Sequence, residues 1–169
     1  MTAFLIYVFS LFSLGTPSEE MNQEKMTTYY FIRHAEKDTR DPQDKDPHLT
    51  EAGLQRAHKW AEVFKEVDFD VIFSSDFNRT RKTAQIIADS QEKSVEFYDP
   101  KKLNDEEFEK RSAGKTVLVV GHSNTNPHFV NLLIGEKKYQ DISEEESGSL
   151  FIVHAFPGGT KTSEVLYIN

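Results

Sequence analysis

The stretch TTYYFIRHAEKD, residues 27–38, predicts a buried strand that ends in a polar cluster. Its first seven residues are dense in aromatic side chains and end at Arg33, which is typical of a strand covered on both faces of a sheet. The strand then runs without a spacer into a histidine and further charged residues. Such a cluster often marks only the end of a strand, but it is also how a sheet delivers reactive groups to a cleft.

Segments with strand character alternate with segments of helical period from Thr27 onward. This alternation predicts an α/β fold, a three-layer α/β/α sandwich with a mostly parallel sheet. The predicted strands are residues 27–33, 71–74, 95–98 and 116–120. The predicted helices are residues 50–67, 78–90, 104–113 and 124–134, the first capped by Thr50 and the second by Ser74, Ser75 or Asp76. Residues 150–155 and 163–168 flank a Pro-Gly-Gly turn and predict a C-terminal antiparallel hairpin.

Composition places the chain among globular proteins of ordinary size. Its 169 residues suit one domain, with 37% hydrophobic and 28% charged residues. The net charge of −8 argues against general nucleic-acid binding, which needs a basic surface. The absence of cysteine excludes disulfides, thiol catalysis and lipid attachment through a cysteine.

An apolar run, FLIYVFSLFSL at residues 4–14, opens the chain. It suits the core of a signal peptide better than a membrane span, which needs about 20 apolar residues. We therefore expect residues 1–25 to be a signal peptide or N-terminal anchor with a linker, and residues 26–169 to be the functional domain. The expected location is outside the cytoplasm, periplasmic or secreted, and cytoplasmic if the segment is not a working signal. Membrane contact is expected only through this segment, if it stays uncleaved.

Three polar clusters follow the carboxyl ends of predicted parallel strands. They are Arg33 with His34, residues 74–79 with Arg79, and His122 with Ser123. Because ligands bind at this edge of open α/β sheets, we expect the clusters to converge if their strands are neighbours. Guanidinium groups, helix N-termini and an imidazole kept neutral by nearby arginines suit a phosphoryl group.

A magnesium site is not expected at the same edge. The nearby carboxylates, Glu36, Asp76 and Asp99, are scattered along the chain rather than paired at the spacing of metal ligands. The acidic run DISEEES, residues 141–147, is interpreted as a solvated loop.

Four sequence blocks in order resemble the histidine phosphatase superfamily, also called the phosphoglycerate mutase-like fold, in its small single-domain bacterial type. They are RHAEK from Arg33, LTEAGLQRA from Leu49, SSDFNRTRKTA from Ser74 and VLVVGHSNT from Val117. The resemblance spans residues 27–125. One departure is Ala35, which stands where the family has glycine.

The resemblance implies an enzyme that needs no metal or cofactor. His34 would attack phosphorus and become phosphohistidine, which water then hydrolyses. Arg33 and Arg79 would grip the phosphoryl oxygens, and His122 would donate to them and stabilise the transition state.

Lys37 and Ser123 are further predicted substrate-binding residues, Lys37 as a point charge on the phosphoryl group. The proton donor is less clearly marked, because Ser123 stands where the acid phosphatase branch has its aspartate. The predicted donor is Asp99, with Glu106 and Glu36 as alternatives, since leaving-group protonation needs a carboxyl group near the site.

The function expected from these residues is hydrolysis of phosphomonoesters or phosphohistidine, on a small phosphorylated substrate or a phosphoprotein. The alternative is a catalytically weak phosphate-binding or interaction module of the same fold. A phosphoglycerate mutase-type transferase is disfavoured, because mutases of the family are usually longer and use inserted loops to retain their intermediate.

Overall fold

The structure, a computed structural model, describes residues 25–168, so the predicted signal segment lies almost entirely outside the described residues. The strands are β1 (Thr27–Arg33), β2 (Val71–Ser75), β3 (Val95–Tyr98), β4 (Thr116–Gly121), β5 (Ser149–Ala155) and β6 (Lys161–Tyr167). The helices are α1 (Glu51–Val63), α2 (Asn78–Ser90), α3 (Glu106–Ser112) and α4 (Thr125–Ile134). Within residues 25–168, no helix combines the length and apolar character needed to cross a membrane.

The strands form one mixed sheet in the order β3-β2-β4-β1-β5-β6. β1, β2, β3 and β4 run parallel, whereas β5 is antiparallel to both β1 and β6. This arrangement confirms the predicted α/β class with its C-terminal antiparallel hairpin. It also places β4 between β1 and β2, so that the carboxyl ends of these three strands meet at one edge.

The core has two parts, one on each face of the sheet, because successive strand residues point to opposite faces. Tyr29 and Phe31 of β1 pack on the face covered by α3 and α4. Ile32 packs on the other face, which α1 and α2 cover. On that second face the one tryptophan of the chain, Trp60, is 1% exposed and stacks on Phe64 with ring centroids 5.5 Å apart.

Helix α1 begins as predicted and ends earlier than predicted. The Thr50 hydroxyl accepts a hydrogen bond from the Gly53 backbone N–H at 3.0 Å, which satisfies a donor of the first turn. The prediction of a helix to about Val67 was wrong, since α1 ends at Val63. The chain turns after Phe64, where the Val67 N–H donates to the Phe64 carbonyl at 2.8 Å, and both Phe64 and the later Phe69 pack into the core.

The predicted cap of α2 was also wrong. The Asn78 N–H donates to the carboxylate of Asp46 at 2.8 Å, and the Asn78 amide donates to the Asp46 carbonyl at 3.0 Å. The expected cap Ser75 instead donates its hydroxyl to Thr80 at 3.0 Å, and Asp76 pairs with an arginine one turn along the helix. The cap therefore comes from the loop after β1, which fastens that loop beside the start of α2.

Candidate active site

The predicted polar clusters meet at the carboxyl ends of β1, β2 and β4. The backbone N–H of His34 donates to the Gly121 carbonyl at 3.0 Å, which joins the end of β1 to the end of β4. The rings of His34 and His122 lie edge to face, with centroids 5.5 Å apart. Convergence follows from the strand order, because β4 lies between the other two strands.

A cavity of about 340 Å³ opens at this edge. Four predicted site residues line it: His34, Lys37, Arg79 and His122. The other lining residues are Phe77, Pro100, Lys101, Asn124, Thr125 and Glu144. With two lysines, one arginine and one glutamate on its wall, the cavity carries a net positive charge that suits an anionic ligand.

His34 is held with one ring nitrogen free. The side chain is 2% exposed, and Nδ1 lies 2.8 Å from the Ala35 carbonyl oxygen. Because a carbonyl only accepts, Nδ1 carries the proton and Nε2 keeps its lone pair. Burial, followed by the charges of Arg33, His122 and Arg79, lowers the pKa of His34 to about 3, although the Ala35 hydrogen bond acts in the opposite direction. The imidazole is therefore neutral and nucleophilic at ordinary pH.

Ala35 fits the position where the family has glycine. Its side chain is fully buried, and its N–H donates to the Thr83 hydroxyl at 3.1 Å. Among residues 25–168, the only non-glycine residues with positive φ are Glu92 and Asn104, so the backbone at position 35 does not call for glycine. The substitution leaves the peptide after the nucleophile anchored to α2.

His122 has a defined proton arrangement. Thr80 donates its hydroxyl proton to the Ser75 carbonyl at 2.7 Å, so the Ser75 hydroxyl must donate to Thr80 Oγ1. Ser75 Oγ then accepts from His122 Nε2, which lies 2.9 Å away, and His122 Nδ1 is left unprotonated. Burial first, then Arg79 and Lys37, lowers the pKa of His122 to about 4. In the free protein His122 is neutral, and a bound dianion would favour its protonation and hence donation to the phosphoryl group.

Arg79 is presented to the cavity by the first turn of α2. Its guanidinium lies 4.6 Å from the centroid of the Phe77 ring, and Nη1 lies 3.5 Å from Asp46 Oδ1. Its Nε is buried and has no hydrogen-bond partner within residues 25–168. A stacked guanidinium with a free donor is suited to gripping an oxyanion.

Arg33 lies behind the cavity wall rather than on it. It is 3% exposed, and Nη1 donates to the backbone carbonyls of Ser143, Glu144 and Glu146 at 3.4, 2.6 and 3.1 Å. Its Nε, like that of Arg79, is buried without a hydrogen-bond partner in the described part of the chain. The loop before β5 therefore fixes the guanidinium.

Glu144 is a site residue that the sequence interpretation missed. Its carboxylate accepts from Arg33 Nη2 at 3.0 Å, from Lys37 Nζ at 3.1 Å and from the Ser123 hydroxyl. The Ser123 hydrogen bond, followed by the charges of Lys37 and Arg33, outweighs burial and lowers the pKa of Glu144 to about 2. The run at residues 141–147 is thus more than a solvated loop, and no local signal marked Glu144, because the cations that it contacts are distant in the sequence.

The three candidate proton donors do not line the cavity. Asp99 is exposed and accepts from the Lys101 N–H at 2.9 Å, within the loop whose Pro100 and Lys101 form one side of the cavity mouth. Glu106 opens α3 on the surface, and Glu36 pairs with an arginine of α1. Asp99 and Glu36 both lie on loops that border the site, but the Glu36 carboxylate is already engaged by Arg56.

No group of three or more histidines, aspartates or glutamates within residues 25–168 is arranged to hold a metal ion. Apart from the Glu144 carboxylate, the charged groups on the cavity wall are the cations Lys37, Arg79 and Lys101, which are donors toward an anion.

The sequence matches the family model of the histidine phosphatase superfamily, branch 1, over residues 29–105. Residues 29–105 of the protein therefore carry the sequence pattern of the histidine phosphatase superfamily. The matched residues include His34 and Arg79, which were predicted to be the nucleophile and a phosphate-binding residue. The match supports a phosphatase activity at the level of the family.

Solved structures of several phosphatases share the fold of this chain. A phosphoserine phosphatase of Entamoeba histolytica, determined with 3-phosphoglyceric acid, is 19% identical with a TM-score of 0.65, covering 85% of this chain and 98% of its own. The protein histidine phosphatase SixA, determined with tungstate, is 18% identical with a TM-score of 0.66, covering 83% of this chain and 96% of its own. A mycobacterial glucosyl-3-phosphoglycerate phosphatase is 13% identical with a TM-score of 0.63, covering 86% of this chain and 100% of its own. No curated protein gives a significant sequence match.

Proposed function

We propose that this protein is a metal-independent phosphatase that hydrolyses phosphomonoesters, or phosphohistidine, through a covalent phosphohistidine on His34. The main support is the state of the His34 ring. Its Nδ1 proton is committed to the Ala35 carbonyl, and its Nε2 lone pair is retained because the pKa of the ring is lowered to about 3. A neutral imidazole beside an arginine and a second imidazole is an activated nucleophile for phosphorus.

The proposed reaction has two displacements at phosphorus. Nε2 of His34 attacks, the bond from phosphorus to the leaving oxygen or nitrogen breaks, and the leaving group takes up a proton. Water then attacks the phosphohistidine, the P–N bond breaks, and inorganic phosphate and free His34 are released. Arg79 and His122, which both line the cavity, would contact the phosphoryl oxygens and stabilise the charge that develops on them.

The proposed proton donor is Asp99. It lies on the loop that borders the cavity, and its exposed carboxylate would exchange the hydrogen bond from the Lys101 N–H for a bound leaving group. A phenolate or a phosphoramidate nitrogen needs such a proton less or takes it from solvent, so those substrates would depend little on Asp99.

A phosphate-binding module without turnover is the second candidate, favoured by Ala35 in place of glycine. The anchored, unstrained backbone at this position weakens that reading. A mutase is disfavoured because the cavity is open beside Lys101 and no inserted domain covers it within residues 25–168. The predicted signal segment at residues 4–14 supports a proposed site of action outside the cytoplasm.

The test is hydrolysis of an aryl phosphate by the full chain in the presence of a chelator, with rapid quenching to trap acid-labile phosphohistidine. We expect turnover that resists the chelator and disappears in His34→Ala. His128→Ala is the matched control, since this histidine is exposed on α4 away from the cavity. Phosphate binding without turnover by the intact protein would support the binding module instead.

A further inference from the structure

The Glu144 carboxylate contacts the same groups that are expected to hold the substrate. Arg33, Lys37 and Ser123 are three of the predicted phosphoryl-binding residues, and all three donate to this one carboxylate. Two carboxylate oxygens that share an arginine, a lysine and a hydroxyl resemble, in charge and in spacing, two oxygens of a phosphoryl group. In the free protein the anion-binding groups are therefore already engaged by an anion from the chain itself.

We propose that Glu144 is an internal competitor, whose carboxylate occupies part of the phosphoryl subsite and is exchanged for the phosphoryl group when substrate binds. This inference rests on the proposed function, because only a phosphatase has a phosphorylated substrate and a phosphate product at this site. Glu144 would set the affinity of the site for both.

The Glu144 side chain is able to leave without disturbing Arg33. The side chain is 61% exposed, so its carboxylate can rotate from the cavity into solvent. Arg33 Nη1 is held by the backbone carbonyls of Ser143, Glu144 and Glu146, and these contacts do not involve the carboxylate. After the exchange the guanidinium keeps its orientation, with Nη2 released and Nε still without a protein partner.

The positive charges around the Glu144 carboxylate hold it in the subsite when no substrate anion is bound. The pKa of Glu144 is lowered to about 2, with the Ser123 hydrogen bond as the largest cause, so the group is ionised at ordinary pH. The groups facing it are Arg33 at the end of β1, Lys37 on the next loop, Arg79 on α2 and His122 after β4. A phosphoryl dianion offers these groups more charge than a single carboxylate does, which is why it displaces Glu144.

The apparent affinity for phosphate equals the intrinsic affinity multiplied by the fraction of molecules in which Glu144 has left the subsite. Exposed ion pairs and hydrogen bonds of this kind are individually weak, so together they are expected to weaken phosphate binding by roughly tenfold. Weak product binding would in turn speed the release of phosphate after each turnover.

The test is the dissociation constant of inorganic phosphate and of vanadate, measured by titration calorimetry on the full chain, for Glu144→Gln and Glu144→Ala. Both variants are expected to bind the two anions about tenfold more tightly, with KM for an aryl phosphate falling by the same factor. Glu145→Gln is the matched control. It removes the same charge from the next residue of the loop, whose side chain makes no hydrogen bond or ion pair within residues 25–168.

Other outcomes would overturn the proposal in distinguishable ways. Weaker anion binding in both variants, with kcat reduced, would make Glu144 a positioning residue for Arg33 and Lys37. Loss of turnover with alkyl phosphates but not with aryl phosphates would make it a proton donor. An equal gain in Glu145→Gln would show a general charge effect of the loop. Because anion binding is read without turnover, failure of the proposed phosphatase activity would leave this test intact.

Discussion

Replacing His34 by asparagine is expected to make the folded protein less sensitive to acid. Burial and the neighbouring positive charges lower the pKa of His34 from 6.5 to about 3 in the folded chain. Between pH 6.5 and pH 3, His34 is protonated in the unfolded chain but neutral in the folded chain. Protonation of the unfolded state therefore leaves the free energy of unfolding unchanged above about pH 6.5 and lowers it progressively as the pH falls toward 3.

The size of the effect follows from the pKa difference. Each pKa unit corresponds to about 1.4 kcal/mol, and pH 5 lies about 1.5 units below the unfolded value. His34 is therefore expected to remove about 2 kcal/mol of unfolding free energy between about pH 7 and pH 5. Asparagine does not titrate in this range, so the variant lacks that loss.

The assay is urea unfolding at about pH 7 and about pH 5, followed by circular dichroism. The quantity compared is the change in unfolding free energy between the two pH values, in which any pH-independent cost of the substitution cancels. His128→Asn, at an exposed position on α4, controls for the exchange of histidine for asparagine. If His34→Asn and the wild type lose the same free energy on acidification, His34 is not held neutral by the fold and the argument for its nucleophilic state fails.

Three further predictions concern the cavity and its supports. Arg79→Lys, which keeps the charge and loses the guanidinium fork, is expected to lower kcat/KM for an aryl phosphate by about 10²-fold in steady-state kinetics; an unchanged value would remove Arg79 from the transition state. Asp99→Asn is expected to slow an alkyl phosphate about 10²-fold and an aryl phosphate little, and equal slowing of both would contradict its role as proton donor. Gly121→Ala is expected to destabilise the fold by about 1–3 kcal/mol in urea, because a Cβ there would clash with the Asn126 side chain and lie 2.8 Å from Tyr98 Oη; a melting curve like that of the wild type would show that these side chains move aside.

The fold was predictable because its signals are local. Periodicity alone is enough to predict the aromatic strand β1, the apolar strand β4 and the alternation of helices and strands between them. The end of α4 is marked by Gly135, which adopts φ of 70°. The end of α1 at Val63 was missed, and the helix was predicted to about Val67, because an apolar period continues past the turn to Phe69, which packs in the core. Strand order was left as a condition rather than predicted, since pairing between distant strands leaves no local pattern.

The chemistry at the strand ends was predictable for the same reason, because Arg33, His34 and His122 directly follow strands. Two side chains at the site were not predictable, and both lie on loops that fold back to the site. Asp46 caps α2 from the loop after β1, and Glu144 reaches the cations from the loop before β5. Both stand in polar, acidic stretches whose composition predicts only solvation, so their contacts depend on the path of the folded chain.

The burial of Trp60 gives the protein a built-in optical reporter. As the one tryptophan of the chain, packed against Phe64 and absent from the cavity wall, it emits from a single apolar environment. Its emission should shift to the red when the layer formed by α1 and α2 separates from the sheet, and should stay constant when an anion enters the cavity. One fluorescence trace can therefore separate variants that have lost the fold from variants that have lost only the chemistry.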